Sequence, residues 1–129
     1  MPRTVYDTRF FAEHYYSKEA ETLQKTRGEI RRSKERYISS IVIHEVYQLT
    51  LKREGRQIAV LRASLLEKDF KVVSVDSDIA RRSAELRFKY KIPMADSIIA
   101  ATSLTLNALC LSDDPHIKAI KEVKTRWIS

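Results

Sequence analysis

Short β-prone runs that alternate with longer helical segments are the feature that most constrains the fold of this chain. The runs cover residues 3–6, 36–39, 71–75, 108–111 and 123–127, and helical patterns occupy most of the sequence between them. Parallel strands need such crossover segments, whereas antiparallel strands can be joined by tight turns. The run at 108–111 is wholly apolar, as expected of a strand that is covered on both faces. The sequence therefore predicts an α/β fold, with a mainly parallel sheet of four or five short strands between layers of helices.

The domain organisation follows from the scarcity of interruptions in this pattern. The 129 residues include only two glycines and three prolines, with no linker, repeat or low-complexity tract, so residues 1–129 are predicted to form a single domain. No apolar run approaches the length of a membrane helix, and the first residues lack the apolar core of a signal peptide. The single Cys110 lies in an apolar run and indicates a buried thiol in a reducing compartment. We therefore expect a cytoplasmic protein with no membrane partner.

Four acidic residues, Asp7, Glu45, Asp96 and Asp114, lie at or near junctions between predicted strands and helices. In open α/β sheets, ligands bind beyond the carboxyl ends of the strands, near the point where the strand order reverses. Carboxylates that converge there repel one another unless a proton or a cation intervenes. Hard divalent cations such as Mg²⁺ prefer oxygen ligands of this kind. If the four side chains meet, the chain is a candidate metal-dependent phosphodiesterase.

Each of these acidic residues also has an ordinary structural interpretation. Asp7 could form a turn at a strand end, and Asp96 could complement the dipole of its helix. Glu45 could be a solvated helix residue, although its neighbours are nearly all apolar and a carboxylate among them needs a partner. Asp113 and Asp114 precede a helix at Pro115, so one could cap that helix while the other binds the ion.

Two further acidic residues, Asp76 and Asp78, precede the predicted helix over residues 79–90 and are interpreted as caps. The three histidines are scattered and no second cysteine accompanies Cys110, so a zinc site is not predicted. The net charge is +7, from 24 basic and 17 acidic residues. This excess favours a polyanionic partner such as RNA or DNA, although it is equally consistent with a charge that only keeps the protein soluble.

Four motifs together resemble the PIN-domain ribonucleases, and especially the VapC-like toxins of prokaryotic toxin–antitoxin pairs. They are VYDT at residues 5–8, ISSIVIHE at 38–45, PMADSIIAA at 93–101 and LSDDPHI at 111–117. The third is the closest correspondence, and the fourth aligns Asp114 with the family's last acidic position and leaves Asp113 as an accessory ligand. The departures are Arg9, where a small or apolar residue is frequent, and Ile117, where Phe or Leu is frequent.

The resemblance implies a three-layer α/β/α domain, Mg²⁺ or Mn²⁺ in the acidic cleft, and a homodimer. The activity it implies is metal-dependent endoribonucleolytic cleavage, with Asp7, Asp96 and Asp114 as metal ligands and Glu45 as a ligand or a base. Ser112 would hydrogen-bond a ligating carboxylate. Among the basic residues expected to hold the RNA backbone are Arg9, Arg31 and Arg32.

A toxin of this kind would also bind a small antitoxin protein. The surface expected to receive it includes Phe10, Phe11, Tyr15 and Tyr16, which could equally belong to the core or to a dimer interface. Two alternatives remain open at this point. One is a PIN-like module that binds RNA or protein without cutting, and the other is an RNA-processing nuclease outside a toxin–antitoxin system.

Overall fold

A five-stranded parallel sheet forms the centre of the computed structural model, which describes residues 2–129. Its strands are β1 (Arg3–Tyr6), β2 (Glu35–Ser39), β3 (Lys71–Val73), β4 (Leu109–Leu111) and β5 (Thr125–Arg126). The spatial order is β3-β2-β1-β4-β5, and all four neighbouring pairs are parallel. From β1 the chain adds β2 and then β3 on one side of β1, and it then adds β4 and β5 on the other side. The strand order therefore reverses between β1 and β4. The predicted α/β class and strand number are confirmed.

Within the described residues 2–129, seven helices connect these strands. They are α1 (Thr8–Tyr16), α2 (Ala20–Arg32), α3 (Ser40–Glu54), α4 (Arg56–Asp69), α5 (Ser77–Tyr90), α6 (Met94–Thr105) and α7 (Pro115–Lys118). Helix α1 ends at Tyr16 with Ser17 as its C-cap, and α2 begins at Ala20. Gly55 separates α3 from α4 with a φ of 90°, a conformation that glycine adopts without a steric penalty. No helix among residues 2–129 is long and apolar enough to cross a membrane.

The helices cover both faces of the sheet. Tyr6 points to the face covered by α1 and α2, where its ring lies 4.9 Å from that of Phe10 and 5.0 Å from that of Phe70. The neighbouring Val5 points the opposite way, as does its register partner Cys110 on β4. Helix α6 packs on that second face against β1, β2 and β4. The predicted three-layer α/β/α arrangement is therefore present.

The structure corrects several local predictions. The sequence offers two adjacent serines, Ser39 and Ser40, as caps of α3, and Ser39 is the one whose Oγ accepts a hydrogen bond from the backbone N–H of Ile41. Of the aromatic residues proposed for an antitoxin surface, Phe10 and Phe11 are core residues, with 0% and 1% exposure. These two side chains therefore do not belong to an exposed surface for an antitoxin. Asp76 is the N-cap of α5, whereas Asp78 lies in its first turn and pairs with Arg82.

Candidate active site

The reversal of strand order places Asp7 and Ser112 side by side. Asp7 follows the last residue of β1 and Ser112 follows the last residue of β4, and the two strands are hydrogen-bonded neighbours. The hydroxyl of Ser112 donates a hydrogen bond of 2.6 Å to Oδ2 of Asp7. The Oγ of Ser112 in turn accepts a hydrogen bond of 3.0 Å from the backbone N–H of Asp114. Ser112 thus links the carboxylate of Asp7 to the backbone of Asp114, although 105 positions separate Ser112 from Asp7 in sequence.

Asp96 and Asp114 meet at a histidine. Asp96 lies in the first turn of α6, while Asp114 caps α7 by accepting a 2.7 Å bond from the backbone N–H of His116. Nδ1 of His116 lies 3.3 Å from Oδ2 of Asp96 and 3.2 Å from Oδ1 of Asp114. One potential ligand atom from each of the three residues falls within 4.8 Å of the others. The three side chains therefore form a compact group of oxygen and nitrogen donors.

Glu45 reaches the same region from α3. Its Oε1 accepts a 2.5 Å hydrogen bond from the hydroxyl of Thr8, the residue that follows Asp7. Among the described residues, its Oε2 makes no hydrogen bond. The carboxylate is close enough to Asp96 for its charge to raise the pKa of that residue. We refer to Asp7, Glu45, Asp96, Asp114 and His116 together as the acidic cluster.

The protonation behaviour of the acidic cluster reflects burial and crowded negative charge. Burial raises the pKa of Asp7 from 3.8 to about 7; the Ser112 hydrogen bond opposes this shift, and the charges of Asp96 and Asp114 add to it. The pKa of Asp96 rises to about 6 because of burial, Asp114 and Glu45, against the opposing effect of His116. Among residues 2–129, no lysine or arginine pairs with any of these four carboxylates. The cluster is therefore short of positive charge.

This donor set suits a divalent metal ion. Carboxylate oxygens are the preferred ligands of Mg²⁺ and Mn²⁺, and imidazole nitrogen is a common ligand of transition-metal ions. A bound cation would stabilise the charged forms of Asp7 and Asp96 against the burial and the repulsion that raise their pKa values. The residues present therefore fit an ion held between Asp96, Asp114 and His116, with Asp7 and Glu45 beside it.

Other predicted site residues are engaged elsewhere. Asp113 forms a two-pronged ion pair with Arg9, at 2.9 Å from Nε and 3.0 Å from Nη2. Its carboxylate is thus directed to α1 and lies outside the group formed by Asp96, Asp114 and His116. Arg32 pairs with Glu29 of its own helix, and Arg31 is exposed in the last turn of α2.

Sequence reasoning did not assign roles to Thr8 and His116. The available signal for His116 was its place two residues after Asp114, at the start of a helix that opens with proline. Thr8 follows Asp7 directly, but its contact with Glu45 depends on how α1 and α3 pack. Neither contact can be inferred from spacing alone.

Comparison with known proteins adds the evolutionary context. The family model for the PIN domain matches residues 4–123. No curated protein sequence matches the chain. Among solved structures, VapC20 from Mycobacterium tuberculosis, described as a sarcin-ricin loop cleaving toxin, shares 19% identity, with a TM-score of 0.76 and coverage of 94% of this chain and 98% of that one.

Two further solved structures are similar over nearly their full lengths. The structure of VapBC-1 from nontypeable Haemophilus influenzae gives a TM-score of 0.79 at 14% identity and covers 95% of this chain and 96% of that one. The structure of VapBC2 from Rickettsia felis bound to a promoter DNA fragment gives 0.77 at 14% identity, with 98% coverage of both chains. At identities this low, the structural similarity shows that the fold is shared and nothing further.

Proposed function

Since the chain belongs to the PIN domain family, whose members are usually nucleases, we propose that it is a metal-dependent endoribonuclease that cleaves RNA phosphodiester bonds. The observation that carries the proposal is the convergence of Asp7, Glu45, Asp96 and Asp114 from four separate segments on one end of the sheet. These carboxylates lack a lysine or arginine partner among the described residues, as expected if a metal ion supplies the missing positive charge.

The roles of the residues follow from their surroundings. Asp96 and Asp114 would hold Mg²⁺ or Mn²⁺ directly, and the bound ion would activate a water molecule and stabilise charge on the scissile phosphate. Ser112 fixes the orientation of Asp7 through its 2.6 Å hydrogen bond, so Asp7 can bind the ion directly or through water. Thr8 occupies Oε1 of Glu45, so Oε2 is the atom that would accept a proton from the attacking water or join the metal ligands.

RNA must approach an acidic site against electrostatic repulsion, and the net charge of +7 offsets that repulsion at long range. Arg9 is the predicted RNA-binding residue nearest the cluster, since Asp113 holds it beside the segment that carries Asp114. Its guanidinium is half exposed and therefore accessible to a backbone phosphate. Arg31 and Arg32 lie in the last turn of α2, where Arg32 pairs with Glu29, and their contact with RNA stays a prediction.

We also propose that the physiological role is that of a toxin in a toxin–antitoxin pair, with a small antitoxin protein as its partner and a homodimer as its assembly. The VapBC structures that resemble the chain support the partner, because they are toxin–antitoxin complexes by description. Co-expression with the product of an adjacent small gene, followed by co-purification, tests this role separately from catalysis.

The catalytic proposal is tested by measuring RNA cleavage with Mg²⁺ or Mn²⁺, with EDTA, and with the Asp96→Asn variant. We expect cleavage that requires the ion and is lost in the variant. Asp76→Asn is the matched control, because Asp76 caps α5 outside the cluster and asparagine caps a helix as well as aspartate does. Cleavage that persists both in EDTA and in Asp96→Asn would overturn the assignment.

A further inference from the structure

The acidic cluster contains one nitrogen donor, and its position is fixed by the fold. Pro115 occupies the first position of α7, where its restricted φ suits the helix. The Asp114 carboxylate caps this helix through the backbone N–H of His116, at 2.7 Å. Ile117, the next residue, is completely buried and anchors the helix to the core. The backbone of His116 is therefore held beside the two carboxylates.

The spacing of the donor atoms suits a six-coordinate ion. Metal–oxygen bonds of about 2.1 Å in octahedral geometry place adjacent ligand atoms about 3 Å apart. The observed separations from Nδ1 of His116 are 3.3 Å to Asp96 and 3.2 Å to Asp114. An ion could therefore enter between the three atoms with only small movements of the side chains. The half-exposed imidazole can also turn its nitrogen toward the ion without disturbing the core.

We propose that His116 is a nitrogen ligand of the metal ion, and that it makes the site prefer a transition-metal ion such as Mn²⁺ over Mg²⁺. This inference rests on the metal-dependent function proposed above and adds a ligand to the four acidic positions. Mg²⁺ strongly favours oxygen ligands and gives up its water reluctantly, whereas first-row transition-metal ions, including Mn²⁺ with its own preference for oxygen, also accept imidazole nitrogen. A mixed site of two carboxylates and one imidazole therefore shifts relative affinity away from Mg²⁺.

The other two histidines provide an internal comparison. His14 is bonded through Nδ1 to Thr26 Oγ1 at 2.8 Å, so that nitrogen is already engaged away from the cluster. His44 precedes Glu45 but is exposed, and it is not part of the donor group formed by Asp96, Asp114 and His116. The same substitution at His44 therefore controls for the loss of an imidazole near the site.

The test is pulsed electron paramagnetic resonance of Mn²⁺ bound to the protein at mildly alkaline pH, because a histidine binds a metal ion in its neutral form. We expect nitrogen hyperfine coupling from a directly bound imidazole in the wild type and in His44→Gln, and its loss in His116→Gln. Competition between Mg²⁺ and Mn²⁺ gives a second readout. His116→Asp, which creates an all-oxygen site, is expected to lower the preference for Mn²⁺ over Mg²⁺ by roughly tenfold, the scale on which even outer partners change metal affinity.

The outcomes separate this inference from the proposed function. Bound Mn²⁺ with no nitrogen coupling, together with EDTA-sensitive RNA cleavage, would overturn the role of His116 and leave the nuclease intact. Nitrogen coupling that survives in His116→Gln but disappears in His44→Gln would show that His44 is the metal ligand. That result would also overturn the inference. A wild-type protein that binds no divalent ion, and whose cleavage of RNA is indifferent to EDTA, would overturn both.

Discussion

Two regions of the molecule hold carboxylates away from solvent, and they compensate the negative charge in opposite ways. In the acidic cluster, Asp7 is 2% exposed and has no basic partner among the described residues. In α2, Glu29 is 0% exposed, yet Arg32 and Arg126 both bind its carboxylate. We refer to these three residues as the Glu29 cluster. The fold can therefore supply arginines to a buried carboxylate, and it does so at Glu29 but not at Asp7.

The pKa values record this difference. Burial raises the pKa of both carboxyl groups, but at Glu29 the hydrogen bonds from Arg126 and Arg32 outweigh burial and lower the pKa. At Asp7 burial prevails over the Ser112 hydrogen bond, and the pKa reaches about 7. Carboxyl groups with a raised pKa, such as that of Asp7, are concentrated at functional sites, because residues there are arranged for a reaction rather than for local stability. The contrast supports a structural role for the Glu29 cluster and agrees with the metal-dependent function proposed for the acidic cluster.

The largest expected effect on stability comes from removing the basic partners of Glu29, which would leave it unpaired like Asp7. The double variant Arg32→Met with Arg126→Met leaves a buried carboxylate unpaired and should lower the free energy of unfolding by about 3–5 kcal/mol near neutral pH. Addition of Glu29→Gln to this variant should recover most of the loss, because the charge is removed. Urea denaturation measures each value. Lys25→Met, which breaks the exposed pair with Glu21, is the control and should change stability by less than about 0.5 kcal/mol.

The failure of that prediction would be informative in a specific way. A double variant as stable as the wild type would mean that Glu29 becomes protonated or reaches solvent at little cost. The arginines would then not be needed for stability. Glu29 would then no longer be an example of a buried carboxylate that needs basic partners, and its comparison with the acidic cluster would fail.

The next effect comes from supplying the acidic cluster with its expected cation. Mn²⁺ at a hundred times its dissociation constant should raise the free energy of unfolding of the wild type by about 2.7 kcal/mol. The same concentration should stabilise Asp96→Asn far less, because a ligand has been removed, while Asp76→Asn should respond like the wild type. Urea denaturation with and without the ion measures this. Equal stabilisation of wild type and Asp96→Asn would place the ion elsewhere.

A smaller effect on stability is expected from Asp7. Its dependence on pH is opposite to that of most carboxyl groups, whose pKa is lower in the folded state. Its pKa is raised from 3.8 to about 7 in the folded chain, so the folded state binds more protons than the unfolded state between these values. The contribution of Asp7 to the stability of the metal-free protein should therefore be fully present below about pH 4 and be lost as the pH rises through about 7. The full shift corresponds to about 4 kcal/mol, and Asp7→Asn should recover roughly half of it, about 2 kcal/mol at about pH 8, because the buried amide also loses its contact with water.

Denaturation in EDTA across this pH range checks the prediction, and the advantage of Asp7→Asn should shrink toward pH 4. The same variant should lose RNA cleavage, because the substitution removes a charge that the ion needs. A destabilised Asp7→Asn at about pH 8 would show that the Ser112 hydrogen bond to the carboxylate matters more than its burial.

The sequence was sufficient for the fold because the fold depends on local patterns. The alternation of short strands and helices, and the apolar run that became β4, predicted a parallel sheet with helices on both faces. Strand limits were less accurate; β3 ends at Val73 and β5 covers only Thr125–Arg126. Where a strand stops depends on which neighbour continues to pair with it, and this is a property of the whole sheet.

The positions of Asp7 and Asp96 could be inferred because strand ends and helix starts have fixed places in an α/β fold. The pairings that distinguish the two regions could not. Arg126 and Glu29 are 97 positions apart, and Arg9 and Asp113 are 104 apart. Helix α2 is also rich in charged residues, so its pattern gave no indication that Glu29 is buried. Such contacts require the packing of α1 and α2 against the sheet.

The smallest expected effect on stability concerns Asp113, which shares features of both regions. Asp113 is adjacent to Asp114 in sequence but is neutralised by Arg9, as Glu29 is by its arginines. Both partners are partly exposed, so Asp113→Asn should change stability by less than about 1 kcal/mol. Its Mn²⁺ affinity should stay close to that of the wild type, whereas Asp114→Asn should bind the ion much more weakly.

Asparagine preserves the cap of α7, so the comparison of Asp113→Asn with Asp114→Asn by Mn²⁺ titration isolates metal binding from folding. Equal losses of affinity would mean that the Arg9–Asp113 pair opens when the ion binds and that both carboxylates serve the site. A loss confined to Asp114→Asn would mean that an arginine partner excludes a carboxylate from metal binding even when its neighbour in sequence is a ligand. The absence of such a partner would then be what marks a ligand in this fold.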